Sequence, residues 1–80
     1  MKRYDVVKVK SLVTAIGRNG WNINARAPRV GDIGTVVEIL KAEGQDAQFV
    51  VESVAADGTT IWLADFTAEE LEVVERAATE

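Results

Sequence analysis

Eighty residues and 8.7 kDa suffice for one domain, residues 1–80, and not for two. Hydrophobic residues make up 48% of the chain and charged residues 28%, with a formal charge of −4. That composition folds and dissolves, and the lack of Cys and His excludes disulfides, thiolate nucleophiles, imidazole bases and Cys- or His-ligated metals.

The apolar share is mostly Val and Ala, with two Phe, two Trp and one Tyr. Such a core is thin, worth roughly 3–5 kcal/mol of net stability. No apolar run approaches the ~20 residues of a membrane span, and Met1-Lys2-Arg3 leads into mixed residues, not an apolar signal core. The expected location is cytoplasmic, with no membrane partner. Charge is uneven along the chain. Residues 1–31 hold seven basic groups against Asp5, a net of +6, and residues 32–80 hold Lys41 and Arg76 against twelve acids, a net of −10. Folding a β domain mixes early and late strands, so a solvated, mixed surface is expected.

Asp5-Val6-Val7-Lys8-Val9-Lys10 alternates as a strand, with Val7 and Val9 inward. Next comes Arg18-Asn19-Gly20-Trp21, whose central Asn-Gly is a strong two-residue hairpin signal. It predicts a protruding β-hairpin over about residues 12–27. That register sets Trp21 against Arg18, Ile23 against Ile16 and Ala25 against Thr14 on one face. Gly31-Asp32-Ile33-Gly34 is turn chemistry ahead of the β-branched Thr35-Val36-Val37-Glu38-Ile39-Leu40. A polar loop follows, centred on Gly44. Phe49, Val51 and Ser53 then alternate with Gln48, Val50 and Glu52 as a third strand. Ala56-Asp57-Gly58-Thr59 is a hairpin turn, and Thr60-Ile61-Trp62-Leu63-Ala64 is the fourth strand, with Trp62 buried.

Thr67-Ala68-Glu69-Glu70 reads as a capping box. The tail then divides two ways: a helical turn near 67–71 and a short closing strand Leu71-Glu72-Val73-Val74-Glu75, or a helix to about Ala78. The strand is the better reading, because an open four-stranded sheet with so little apolar area needs a closing partner. Five short strands make a small closed barrel, so the fold class is mainly β.

Asp5-Val6-Val7, Gly31-Asp32-Ile33-Gly34-Thr35-Val36-Val37-Glu38-Ile39, Phe49-Val50-Val51-Glu52, Asp57-Gly58 and the ending Leu63…Phe66-Thr67…Glu70-Leu71-Glu72-Val73-Val74 resemble a bacterial family of small SH3-like barrels, a domain of unknown function. The resemblance covers the chain except residues 14–27, which read as extra length. The G-D-x-G-T-V segment also resembles KOW motifs of ribosomal and transcription proteins. The resemblance implies an SH3-like barrel and an accessory or docking role, and carries no established activity.

Carboxylates are the only enzymatic option. Asp57 and Asp65 flank one strand, and Glu69 and Glu70 are adjacent, but a filled small barrel offers no cleft for a facing pair. Asp57 reads instead as a turn residue, Glu70 as a cap and Glu69 as compensation of the turn's dipole. Ser11 and Ser53 have no base to activate them. Gly17-Arg18-Asn19-Gly20 lacks the P-loop Lys, and nothing matches a calcium loop. The expectation is a non-enzymatic protein-interaction or accessory module without cofactor, metal or small-molecule substrate.

An isolated ribbon is marginal in water, so the apolar face of the arm must be covered, by the barrel itself or by a protein partner or second copy of the chain, a homodimer included. In the latter case Trp21 is the anchor, with Ile16 and Ile23 beside it and Arg18, Arg26 and Arg29 as rim. The alternative is KOW-like RNA binding, with Lys8, Lys10, Arg18, Arg26 and Arg29 on phosphates and Trp21 stacking on a base. The pI near 4.7 weighs against it.

Overall fold

In a computed structural model, which describes residues 1–12, 26–41 and 43–77, the chain forms β1 (Val6–Val9), β2 (Ile33–Leu40), β3 (Gln48–Val54), β4 (Thr60–Thr67), a 3-10 turn (Ala68–Glu70) and β5 (Leu71–Glu75). All neighbours pair antiparallel in one five-stranded sheet, ordered β4-β3-β2-β1-β5. The expected mainly β class and the single helical turn both hold. The hairpin expected over 12–27 falls almost wholly outside the described residues.

Of the two readings of the tail, the strand is the one formed. β5 pairs Leu71 with Val9, Glu72 with Lys8 and Val73 with Val7, giving β1 a partner on its second edge, which a helix would have left bare. β4 runs three residues further than expected, to Thr67, because Phe66 continues the inward alternation of Trp62 and Ala64 and pairs across to Phe49.

Alternation fixes which face is buried. Val7 and Val9, Val36, Phe49 and Val51, Trp62, Ala64 and Phe66, and Leu71 form one cluster. At its centre the rings of Trp62 and Phe66 are tilted 57° with centroids 5.6 Å apart, an arrangement suited to aromatic quadrupoles. In β2 the alternation breaks. Val36 opposes Val51 but Glu38 opposes Val50, so Val37 is an extra residue, a bulge that returns Ile39 to the inner face and leaves Glu38 and Leu40 exposed.

Gly34 lies inside β2, not in the turn before it. A Cβ there would meet Val51 Cγ1 at 2.5 Å and the Glu52 carbonyl oxygen at 2.9 Å, so β2 crosses β3 too closely for any side chain. The outer face is mixed, as its register shows. One row runs Glu75, Val6, Thr35, Glu52, Leu63 across all five strands.

The first and last described segments meet at Asp5. Its carboxylate is fully buried and accepts the backbone N–H of Lys2 at 2.8 Å and that of Ala77 at 2.7 Å. The Ala77 bond first, then the Lys2 bond, holds this carboxyl below the usual range against the opposing effect of burial. Between them Tyr4 sits at φ 77°, a left-handed conformation costly for a residue with a Cβ. Its N–H donates to the Val36 carbonyl.

Candidate functional site

Segment 26–32 leads into β2 and is stitched to the end of β1. Gly31, at φ +99°, donates its N–H to Val9 O at 2.7 Å, and Val9 N–H returns to Asp32 O at 2.9 Å. The turn itself closes through Asp32 N–H to Arg29 O at 3.0 Å. The positive φ is a conformation that glycine adopts without strain.

At this corner one carboxylate gathers three residues. Asp32 Oδ2 accepts from Arg26 Nη1 at 2.7 Å, Arg29 N at 2.9 Å and Trp62 Nε1 at 3.0 Å, and Oδ1 accepts from Arg26 Nη2 at 3.0 Å. The guanidinium thus holds it with two parallel bonds, the strong form of this pairing. The Arg26 side chain is 32% exposed and that of Asp32 13%. Arg26 first, then the Arg29 amide and the indole N–H, keep the Asp32 carboxyl below its ordinary range despite burial, and Asp32 in turn raises Arg26.

Of the residues singled out from sequence, Ile16, Arg18, Trp21 and Ile23 lie outside the described residues. Arg26 and Arg29 are brought together here, but through Asp32. Arg26 spends its guanidinium on the carboxylate and on the Ala27 carbonyl at 3.2 Å, whereas Arg29 contributes its backbone and remains exposed beside Val30, itself 61% exposed. On the other flank Leu12 packs against the core cluster. Leu12 and Arg26, the described residues on either side of 13–25, are thus both held by the sheet and its entrance turn. Sequence spacing alone does not pair Asp32 with the indole nitrogen of Trp62. A buried Trp N–H nevertheless needs an acceptor, and an Asp in a turn at a strand entrance was the available signal.

Two other early basic residues also face acids. Arg3 Nη2 lies 3.2 Å from Glu38 Oε1, and Lys8 stands opposite Glu72 in the register. Two of the carboxylates considered for catalysis, Asp57 and Glu70, are engaged separately. Asp57 Oδ1 accepts Thr59 N at 3.1 Å and Thr59 Oγ1 at 2.7 Å within its own turn. Buried Glu70 caps the 3-10 turn by accepting Thr67 N at 2.9 Å.

A second feature lies past the other end of β2. A groove of about 320 Å³ is floored by Ala47, Phe49 and Ala68 and flanked by Thr67, Asp46 and Glu69. It adjoins a shallower depression at Leu40 and Lys41, where Lys41 Nζ donates to Gln45 O at 2.6 Å.

These features define a small all-β domain with a structured corner at Asp32. The chain belongs to the family described as Domain of unknown function (DUF4926), matched over residues 22–73. The match takes in β2 to β4, the 3-10 turn and β5 through Val73, so residues 22–27, expected as extra length, lie within the family pattern. Asp5-Val6-Val7, expected to carry the resemblance, lies before it. Neither a curated protein nor a solved structure matches the chain.

Proposed function

We propose that this protein is a non-enzymatic interaction or accessory module, an SH3-like barrel that presents residues 12–27 as a hairpin arm to a protein partner or a second copy of itself. The observation that carries the reading is that the described residues on either side of 13–25 are both held: Leu12 packs against the core on one side, and Arg26 is clamped to Asp32 on the other. A contact element held at both roots loses less entropy on binding than a free loop does. Barrel closure is supported by chain length. β4 and β5 are the two ends of a five-strand ladder, about 19 Å apart if flat, yet three residues of 3-10 turn join them, so the sheet must curl to bring its ends together.

Nucleic-acid binding is the weaker reading, because Arg3 and Arg26 are paired with carboxylates and Lys8 stands opposite one. The test uses a Trp62→Phe chain, leaving Trp21 as sole indole, with emission and iodide quenching followed across dilution beside sedimentation. The expected result is blue-shifted, protected emission that rises with assembly. The same emission at every concentration in a monomer overturns docking to a second copy in favour of an arm lying on its own barrel. Red-shifted, freely quenched emission in an assembled protein overturns the arm as contact element. Micromolar binding of single-stranded RNA that falls steeply with salt overturns the interaction reading in favour of RNA.

A further inference from the structure

The groove between Asp46 and Glu69 is an apolar floor with acid on both sides. Asp46 and Glu69 are exposed, and Phe49 below them is 7% exposed. The cation nearest along the chain, Lys41, has its ammonium on the Gln45 carbonyl. The surface therefore suits a segment carrying an apolar side chain flanked by positive charge. The chain contains such a segment. Residues 12–29 hold no acid, and with Arg26 held by its own Asp32 they offer Arg18 and Arg29 together with Ile16, Trp21 and Ile23.

Position favours a second copy as the source. Asp32, which holds the root of that segment, precedes β2, and Asp46 follows it. The eight residues of β2 span roughly 25 Å when extended, so root and groove sit at opposite ends of one strand. We propose that the groove lined by Asp46, Phe49 and Glu69 receives the basic 12–29 segment of a second copy. This rests on the interaction reading above and names its receiving surface. The contact joins two different patches, so it is head-to-tail, and repeating it gives a ring or an open filament, not a two-fold pair.

The experiment is a charge swap in the full-length chain, read by sedimentation over a hundredfold range of concentration. The wild type is expected to associate, and less so at high salt. Arg18→Glu alone, and Asp46→Lys with Glu69→Lys together, should each weaken association roughly tenfold or more. Combining all three changes in one chain should restore it. Urea midpoints like the wild type's confirm that the variants are folded, as the exposure of Asp46 and Glu69 allows in the groove variant. If Arg18→Glu dissociates the protein while the groove variant associates normally, the groove is not the receptor, though the arm reading survives. Failure of the combined variant to reassociate overturns the pairing. A wild type that stays monomeric throughout overturns docking between copies.

Discussion

The indole Nε1 of Trp62 donates to Asp32 Oδ2 at 3.0 Å across thirty residues of chain. The largest core side chain is thereby tied to the same carboxylate that clamps Arg26. Removing that carboxylate leaves the buried indole N–H without its acceptor and frees Arg26 and the Arg29 amide. Asp32→Ala should cost about 1–3 kcal/mol, whereas Asp32→Asn, which keeps an acceptor oxygen, should cost less. Urea denaturation checks both, and an unchanged midpoint for Asp32→Ala would refute the linkage.

Trp62 itself fills the centre of a small core. Trp62→Ala should cost roughly 3–5 kcal/mol, comparable to the whole stability expected of so thin a core, so the variant should be largely unfolded at 37 °C by circular dichroism. A folded variant with an unchanged melting temperature would show that the residue contributes little to packing.

Gly34→Ala places a methyl against Val51 Cγ1 and the Glu52 backbone and should destabilise by about 1–3 kcal/mol. Adding Val51→Ala relieves the side-chain clash but not the backbone one, so a double-mutant cycle should show partial rescue only. Full rescue would mean that β2 can move away from β3.

Acid should unfold this protein through three depressed carboxyls. Asp5, Asp32 and Asp57 are lowered chiefly by the Ala77 amide, Arg26 and the Thr59 amide respectively. A carboxyl with a folded-state pKa below its unfolded value stabilises at pH above the unfolded value. That contribution disappears as pH falls through the folded one. Stability should therefore be level near neutrality and decline below the ordinary carboxylate range. Asp5→Asn should be less stable at pH 7 and lose less on acidification, as urea midpoints at pH 7 and pH 3 would report. Equal losses in both proteins would remove Asp5 from the acid response.

Strands announced themselves where one face is wet. Val7 and Val9, or Phe49, Val51 and Ser53, are legible because polar neighbours mark the other face. The bulge at Val37 was not legible, because Val36-Val37 reads equally well in either register and only the pairing with β3 decides it. Gly34 read as turn chemistry, since a glycine chosen for close approach looks the same in sequence as one chosen for positive φ. The candidate site was half legible. Arg26 reads in the sequence as a rim residue, but its partner Asp32 is hidden in a turn motif, and contacts such as Asp5 with Ala77, 72 residues apart, leave no local mark.

That last contact bears on the order in which the chain assembles. β2, β3 and β4 are joined by short loops and pair with their neighbours in sequence, so they can zip up early as a meander. β1 is different. It lies between β2 and β5, and its far edge stays bare until the chain has been made to residue 75 and the Asp5 carboxylate finds Ala77. Closing so long a loop is entropically late. A chain cut before β5 would expose the β1 edge as a template for pairing with other chains, so β5, fastened through Ala77 to Asp5, is the cover of that edge.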